Sequence, residues 1–113
     1  VQRVVGDVRN CVPIIVDDMI STAGTIQTAI QALLAAGCVA EDLTVVASHG
    51  LFVGPAAERL HAVPIHRLLV TDSVARPARG PFALQVVSLG SLLADAITRL
   101  HHNQSLSDLL VHG

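Results

Sequence analysis

The sequence predicts an α/β protein: a mostly parallel, twisted sheet with helices on both faces, in three layers. Short, nearly continuous β-branched runs recur along the 113 residues, alternate with segments whose apolar residues fall at helical spacing, and are separated by Gly and Pro. Strands buried on both faces read as unbroken Val, Ile and Leu, which is the pattern of a parallel sheet covered from both sides.

The elements follow in order. Arg3-Val4-Val5-Gly6-Asp7-Val8 reads as a short extended segment, with a turn at Arg9-Asn10. Val12-Pro13-Ile14-Ile15-Val16 is the first clear strand, ending in Asp17-Asp18. Beyond Ser21-Thr22-Ala23-Gly24-Thr25, a helix is expected from Ile26, Ile30, Leu33 and Leu34, and Gly37 stops it. Leu43-Thr44-Val45-Val46-Ala47 is the second strand, followed by Ser48-His49-Gly50. Pro55 suits the first turn of a short helix reaching Leu60. Residues 65–70 form the third strand, residues 75–81 a loop broken by Pro77, Gly80 and Pro81, and residues 84–89 a fourth strand. Ser91 is placed to cap a last helix with Leu92, Leu93, Ala96, Ile97 and Leu100 on one face. No repeat, low-complexity tract or linker divides the chain, so residues 1–113 are read as one domain.

Composition narrows the function. Hydrophobic residues make up 51% of the chain and charged ones 14%, with two Phe as the only aromatics. A domain of this size cannot hide so much apolar surface by itself, so a protein partner or another part of the same protein is expected to cover some of it. The net charge is −2, and the seven basic residues, all Arg, are scattered, which leaves no track for a nucleic-acid backbone. The apolar runs are far shorter than the ~20 residues of a membrane span. No basic stretch leads into an apolar signal segment, so a cytoplasmic location is the default. Cys11 and Cys38 are too few for a disulfide framework and are expected to be buried free thiols.

Ligands of parallel sheets collect at the carboxyl ends of the strands, where Asp17 to Thr25 falls. Ala23 and Gly24 permit close backbone approach, while Ser21, Thr22 and Thr25 offer hydroxyls. The helix that follows directs its unpaired N–H groups to the same place, making a phosphate cradle. Asp17 and Asp18 repel a phosphate and suit sugar hydroxyls or a hydrated Mg²⁺ instead. Adjacent strand residues point to opposite faces, so one aspartate is expected to face the ligand and the other to brace the loop. On residue types alone, a strand ending in Asp-Asp before a Ser-Thr helix cap explains the stretch equally well.

The run Val16-Asp17-Asp18-Met19-Ile20-Ser21-Thr22-Ala23-Gly24-Thr25-Ile26 closely resembles the phosphoribosyl pyrophosphate loop of type I phosphoribosyltransferases and ribose-phosphate pyrophosphokinases. The resemblance implies that Asp17 and Asp18 contact the ribose 2- and 3-hydroxyls, and that Thr22, Ala23, Gly24 and Thr25 bind the 5-phosphate. Ser21 stands where many pyrophosphokinases have Asp, one negative charge fewer beside the phosphate. Further landmarks are similar to the pyrophosphokinase C-terminal region: Val5-Gly6-Asp7-Val8, Ser48-His49-Gly50-Leu51-Phe52-Val53-Gly54-Pro55-Ala56, Leu69-Val70-Thr71-Asp72-Ser73 and Leu92-Leu93-Ala94-Asp95-Ala96-Ile97. They extend the resemblance over nearly the whole chain.

This resemblance implies a three-layer sheet of the type I phosphoribosyltransferase kind, present here as an incomplete domain. It also implies a ribose 5-phosphate-binding part of an Mg²⁺-dependent enzyme that transfers pyrophosphate from ATP, working as a homo-oligomer. The family's ATP pocket and its catalytic Lys-Arg loop lie before the position of Val1, and this chain has no Lys, so the 113 residues alone are expected to be inactive. Ser105 and Ser107 resemble the serines that help bind a regulatory phosphate in allosteric members. Leu110 stands where those members have an aromatic residue, and polar residues on a terminal turn are the plainer reading. Two other functions use the same residues. A type I phosphoribosyltransferase has the same loop but needs a base-recognition segment that is not visible here, and a non-catalytic associated subunit has no need of Asp17, Asp18 or Gly24.

The six histidines show no familiar metal spacing. His61, His66, His101 and His102 read as surface or interface residues, and His49 at the sheet mouth as a loop-structuring one. Arg76 and Arg79 read as solvated loop residues.

Overall fold

A computed structural model of the chain describes residues 4–75 and 84–111. Four strands, β1 (Ile14–Ile20), β2 (Thr44–Gly50), β3 (Arg67–Thr71) and β4 (Leu84–Val87), lie in the order β1-β2-β3-β4 and are parallel throughout. Helix α1 (Gly24–Ala35) connects β1 to β2, and α2 (Ala56–His61) connects β2 to β3. Helices α3 (Gly90–His101) and α4 (Ser107–Val111) follow β4. The α/β class and the parallel sheet are those the sequence implied.

Register decides which side chains meet. Ile15, Val45, Leu68 and Leu84 lie in one row across the sheet, and Ala47 and Val70 share the next row with Asp17. On this face Ile26 and Ile30 of α1 and Ala56 and Leu60 of α2 join Val45, Ala47, Leu68 and Val70 in the hydrophobic core. Each fully buried Val, Leu or Ile contributes roughly 1.5–3 kcal/mol relative to exposure, so these rows hold the two crossovers against the sheet.

Crossovers between parallel strands are right-handed, so successive crossovers advancing in one direction put their helices on one side. The four strands run in sequence without reversal, and among the described residues helices cover one face. On the other face Ile14 and Val16 remain 68% and 75% exposed. Helix α3 has no buried residue, and its stripe Leu92, Leu93, Ile97 and Leu100 faces solvent. The radius of gyration is 16.7 Å, against ~13 Å for compact packing of this length. The surplus of apolar residues noted in the composition is thus found on the surface.

Several local expectations change. The first strand extends through both aspartates to Ile20, because its ladder with β2 continues to the pair Ile20 and Gly50. Residues 4–8 join no strand, though the turn at Arg9-Asn10 is present, with Asn10 at φ 59°. Ser91 does not cap α3. The helix begins at Gly90, whose N–H donates to Ser88 Oγ at 3.1 Å, and Leu89 occupies the cap position. Cys11 is exposed rather than buried, since residues 10–12 run over the surface, and Cys38 is half-buried. The terminal turn is a short helix, α4. Arg76 and Arg79 lie outside the described residues.

Candidate phosphate and sugar site at the end of the first strand

The connection from β1 to α1 is Ser21-Thr22-Ala23, and its carbonyls are taken up one after another. Ile20 C=O accepts the N–H groups of Leu51 and Phe52 at 2.9 and 3.1 Å, and Ser21 C=O accepts that of Val53 at 3.0 Å. Thr22 C=O accepts Nη1 of Arg59 at 3.1 Å. In a trans peptide the C=O and N–H point in opposite directions, so fixing these carbonyls turns the N–H groups of Thr22 and Ala23 away from the body of the protein. Among the described residues neither N–H finds an acceptor.

Ala23 sits in the left-handed region, φ 60° and ψ 12°, and no side chain caps the helix. Consequently the plain reading of Ser-Thr as a helix cap does not describe this terminus. The first helical bond runs from Gln27 N–H to Ala23 C=O, which leaves the amides of Gly24, Thr25 and Ile26 without an intrahelical acceptor. Successive N–H groups around a left-handed residue form an anion-binding concavity, and the positive end of the helix dipole adds to it. Thr22 and Thr25 are exposed and Ser21 is half-buried, so the hydroxyls border this cluster of amides.

The two aspartates differ in environment. Asp17 is half-buried, lies in the row of Ala47 and Val70, and accepts the Asp18 N–H on Oδ1 at 2.8 Å. Asp18 is exposed, and its carboxylate holds no hydrogen bond among the described residues. The alternation slips here: the inward positions of β1 are Ile15 and Asp17 and then Ile20, while Met19 is 47% exposed. Among the described residues no three metal-ligating side chains cluster. Two adjacent carboxylates fit a Mg²⁺ that keeps its waters and leans on substrate phosphates, and they do not fit a cage built by protein alone.

The next strand ends are tied together. His49 Nδ1 lies 2.7 Å from Ser73 Oγ, which donates to Ser48 C=O at 3.0 Å, and Thr71 Oγ1 donates to the same carbonyl at 2.5 Å. His49 therefore joins the end of β2 to the residues after β3. Asp72 accepts the Leu89 N–H at 2.8 Å. The Ser88 hydroxyl and then the Leu89 N–H hold its carboxyl below the ordinary aspartate range.

Ser105 lies between α3 and α4, and Ser107 opens α4. Their hydroxyls are 2.9 Å apart, and Ser105 Oγ accepts the Ser107 N–H at 3.1 Å. Beside them Arg99 Nη1 donates to Ser105 C=O at 3.0 Å and to Asp108 at 3.2 Å. An anion there would compete with Asp108 for the guanidinium, and Asp95 lines the same hollow.

Residues 2–111 match the family model described as the phosphoribosyl synthetase-associated domain. The chain belongs to that family. It is 40% identical over 110 residues to a ribose-phosphate pyrophosphokinase of Caldanaerobacter subterraneus, a match covering 96% of this chain and 34% of the relative. It is 42% identical, with the same coverage, to ribose-phosphate pyrophosphokinase 1 of Listeria monocytogenes. The crystal structure of phosphoribosylpyrophosphate synthetase from Mycobacterium smegmatis superposes with a TM-score of 0.76 at 37% identity, covering 89% of this chain and 34% of that one. The chain thus spans about a third of the length of the relatives it matches.

The sequence motif names the amides and hydroxyls of the loop but not what shapes them. The backbone of residues 51–53 and the side chain of Arg59 do that, from 31 or more positions further along the chain than the carbonyls they hold. No spacing or residue type marks these contacts, because one is made by main chain and the other by a single Arg on a six-residue helix.

Proposed function

We infer that residues 1–113 are the C-terminal, phosphoribosyltransferase-like domain of a ribose-phosphate diphosphokinase and bind its ribose 5-phosphate. The observation that carries this reading is the loop backbone: pinned carbonyls at Ile20, Ser21 and Thr22, and open amides from Thr22 to Ile26. The 5-phosphate lies against those amides, with the hydroxyls of Ser21, Thr22 and Thr25 around it and Ala23 and Gly24 allowing close approach. Asp18 accepts from the ribose hydroxyls, and Asp17, held by the neighbouring amide, fixes the carboxylate pair and takes the second hydroxyl contact.

In such an enzyme the C1 hydroxyl of ribose 5-phosphate attacks ATP and receives its pyrophosphoryl group, and Mg²⁺ spreads the charge of the transferred phosphates. On this reading the chain orients the acceptor sugar. Cations for the transferred group come from elsewhere in the protein, because no Lys is present and Arg59 is turned to the loop. The 113 residues alone are therefore inactive. The exposed outer face of the sheet and the α3 stripe support burial in a larger homo-oligomeric assembly.

Calorimetric titration with ribose 5-phosphate and Mg²⁺, with ribose and inorganic phosphate as controls, tests the assignment. Binding that needs both sugar and phosphate and is weakened in Asp18→Ala is the expected result. Folded protein that takes up none of the three ligands overturns it.

A further inference from the structure

We propose that Arg59 is the positioning residue of the phosphate loop, setting anion affinity through Thr22 and lying so close to Gly24 that a side chain at residue 24 displaces it. The proposal rests on the ribose 5-phosphate reading above. Arg59 is half-buried on α2, anchored by the buried Ala56 and Leu60 on the same helix. The single hydrogen bond of its guanidinium among the described residues goes to Thr22 C=O, and no carboxylate pairs with it there. A half-buried guanidinium carries five donors and a full charge, and in this place it spends one donor on a neutral carbonyl at the edge of an anion site. That contact fixes the Thr22–Ala23 peptide with its N–H outward and holds Ala23 in its left-handed conformation, while the charge behind the loop favours an anion in front of it.

Gly24 supplies an independent observation. A Cβ at this position would lie 3.1 Å from Arg59 Nη1 and 3.7 Å from Cζ, and the remaining neighbour within 4 Å is the Thr22 hydroxyl at 3.9 Å. What a side chain at residue 24 meets first is Arg59, and backbone conformation sets no bar, since Gly24 is not among the residues with positive φ. A methyl group at residue 24 would displace the end of a flexible side chain, so its effect on the ligand is transmitted through Arg59.

The test compares Arg59→Ala, Arg59→Lys, Gly24→Ala and the double variant Arg59→Ala/Gly24→Ala in the full chain, titrated with ribose 5-phosphate. Loss of one charge-assisted contact behind the loop is expected to weaken binding about tenfold in Arg59→Ala, with part of the loss restored in Arg59→Lys. Gly24→Ala weakens binding in the wild-type background and changes little once Arg59 is gone, a coupling that a purely structural arginine does not produce. Equal affinity of wild type and Arg59→Ala overturns this proposal and leaves the site reading standing. Additive effects of the two substitutions also overturn it. Failure of folded wild-type chain to bind ribose 5-phosphate overturns the site reading and this proposal together. If Arg59→Ala does not fold, full affinity in both Arg59→Lys and Gly24→Ala is the overturning result.

Discussion

Asp17 Oδ1 accepts the backbone N–H of Asp18 at 2.8 Å, so two adjacent carboxylates of one strand do different work. Asp17 braces the chain besides its proposed hydroxyl contact, and Asp18 is left exposed for an outside donor alone. Of the two substitutions, only that of Asp17 should cost stability. Asp18→Ala is expected to lower ribose 5-phosphate affinity about tenfold, the effect of one charge-assisted hydrogen bond, while stability stays within ~0.5 kcal/mol as for other exposed positions. Asp17→Ala removes the acceptor of a backbone N–H and should cost about 1 kcal/mol in urea unfolding, whereas Asp17→Asn keeps an oxygen there and recovers most of it. Equal stability of the two alanine variants would contradict the division.

Gly24→Val is the blunt test of the loop. A β-branched side chain at residue 24 enters the space of Arg59 Nη1 and crowds the Thr22 hydroxyl, and its rigid χ1 leaves few ways around them. Titration should show ribose 5-phosphate binding lost, with circular dichroism unchanged because residue 24 opens the helix and is no part of the core. Undiminished affinity in this variant would remove residue 24 from the phosphate contacts.

The sheet was legible because its strands are unbroken apolar runs, and Val45, Leu68 and Val70 are buried as their runs imply; register was not legible, and comes from the ladder itself. Element ends were less legible. The first strand carries on through Asp17 and Asp18 because pairing with β2 outlasts the hydrophobic run, and hydrogen bonding along a ladder leaves no trace in composition. Ser91 drew the N-cap assignment by residue type, yet the hydroxyl that meets the Gly90 N–H belongs to Ser88. The amphipathic stripe of α3 was visible in the sequence, but an apolar stripe specifies that something covers it and not what does. At the site, the motif located the loop, and the contacts that shape it, from residues 51–53 and Arg59, depend on the fold bringing α2 beside α1.

Acid should act on the junction between β3 and α3. Asp72 accepts the Leu89 N–H at 2.8 Å, and the Ser88 hydroxyl and this amide together lower its pKa below the ordinary value of 3.8. A lowered folded-state pKa means that the unfolded chain binds the proton more readily, so the interaction stabilises fully above the unfolded value and is lost as pH falls through the folded one. The expected signature is a thermal midpoint that declines below about pH 4 in the wild type, with a shallower decline in Asp72→Asn. Parallel curves for the two proteins would mean that this carboxylate does not hold the start of α3. Asp7 shifts in the same direction through Arg9, so the Asp72→Asn profile flattens without becoming level.

The two classes of apolar residue make the last contrast. Leu68, on an inner strand and 2% exposed, packs against the core formed with α1 and α2, whereas Ile97 on α3 is 67% exposed. Leu68→Ala leaves a cavity that the flanking strands cannot close and should cost roughly 2–5 kcal/mol. Ile97→Ala removes a side chain of similar size that touches no core, and should stay within about 0.5 kcal/mol. Urea denaturation followed by circular dichroism at low protein concentration reads both. A large loss in Ile97→Ala under those conditions would show that α3 contributes to the stability of the single chain, and the exposed stripe would then have to be explained by packing within one copy. A small loss that grows with protein concentration would place the energetic role of α3 in assembly, because only an interaction between chains depends on how many are present.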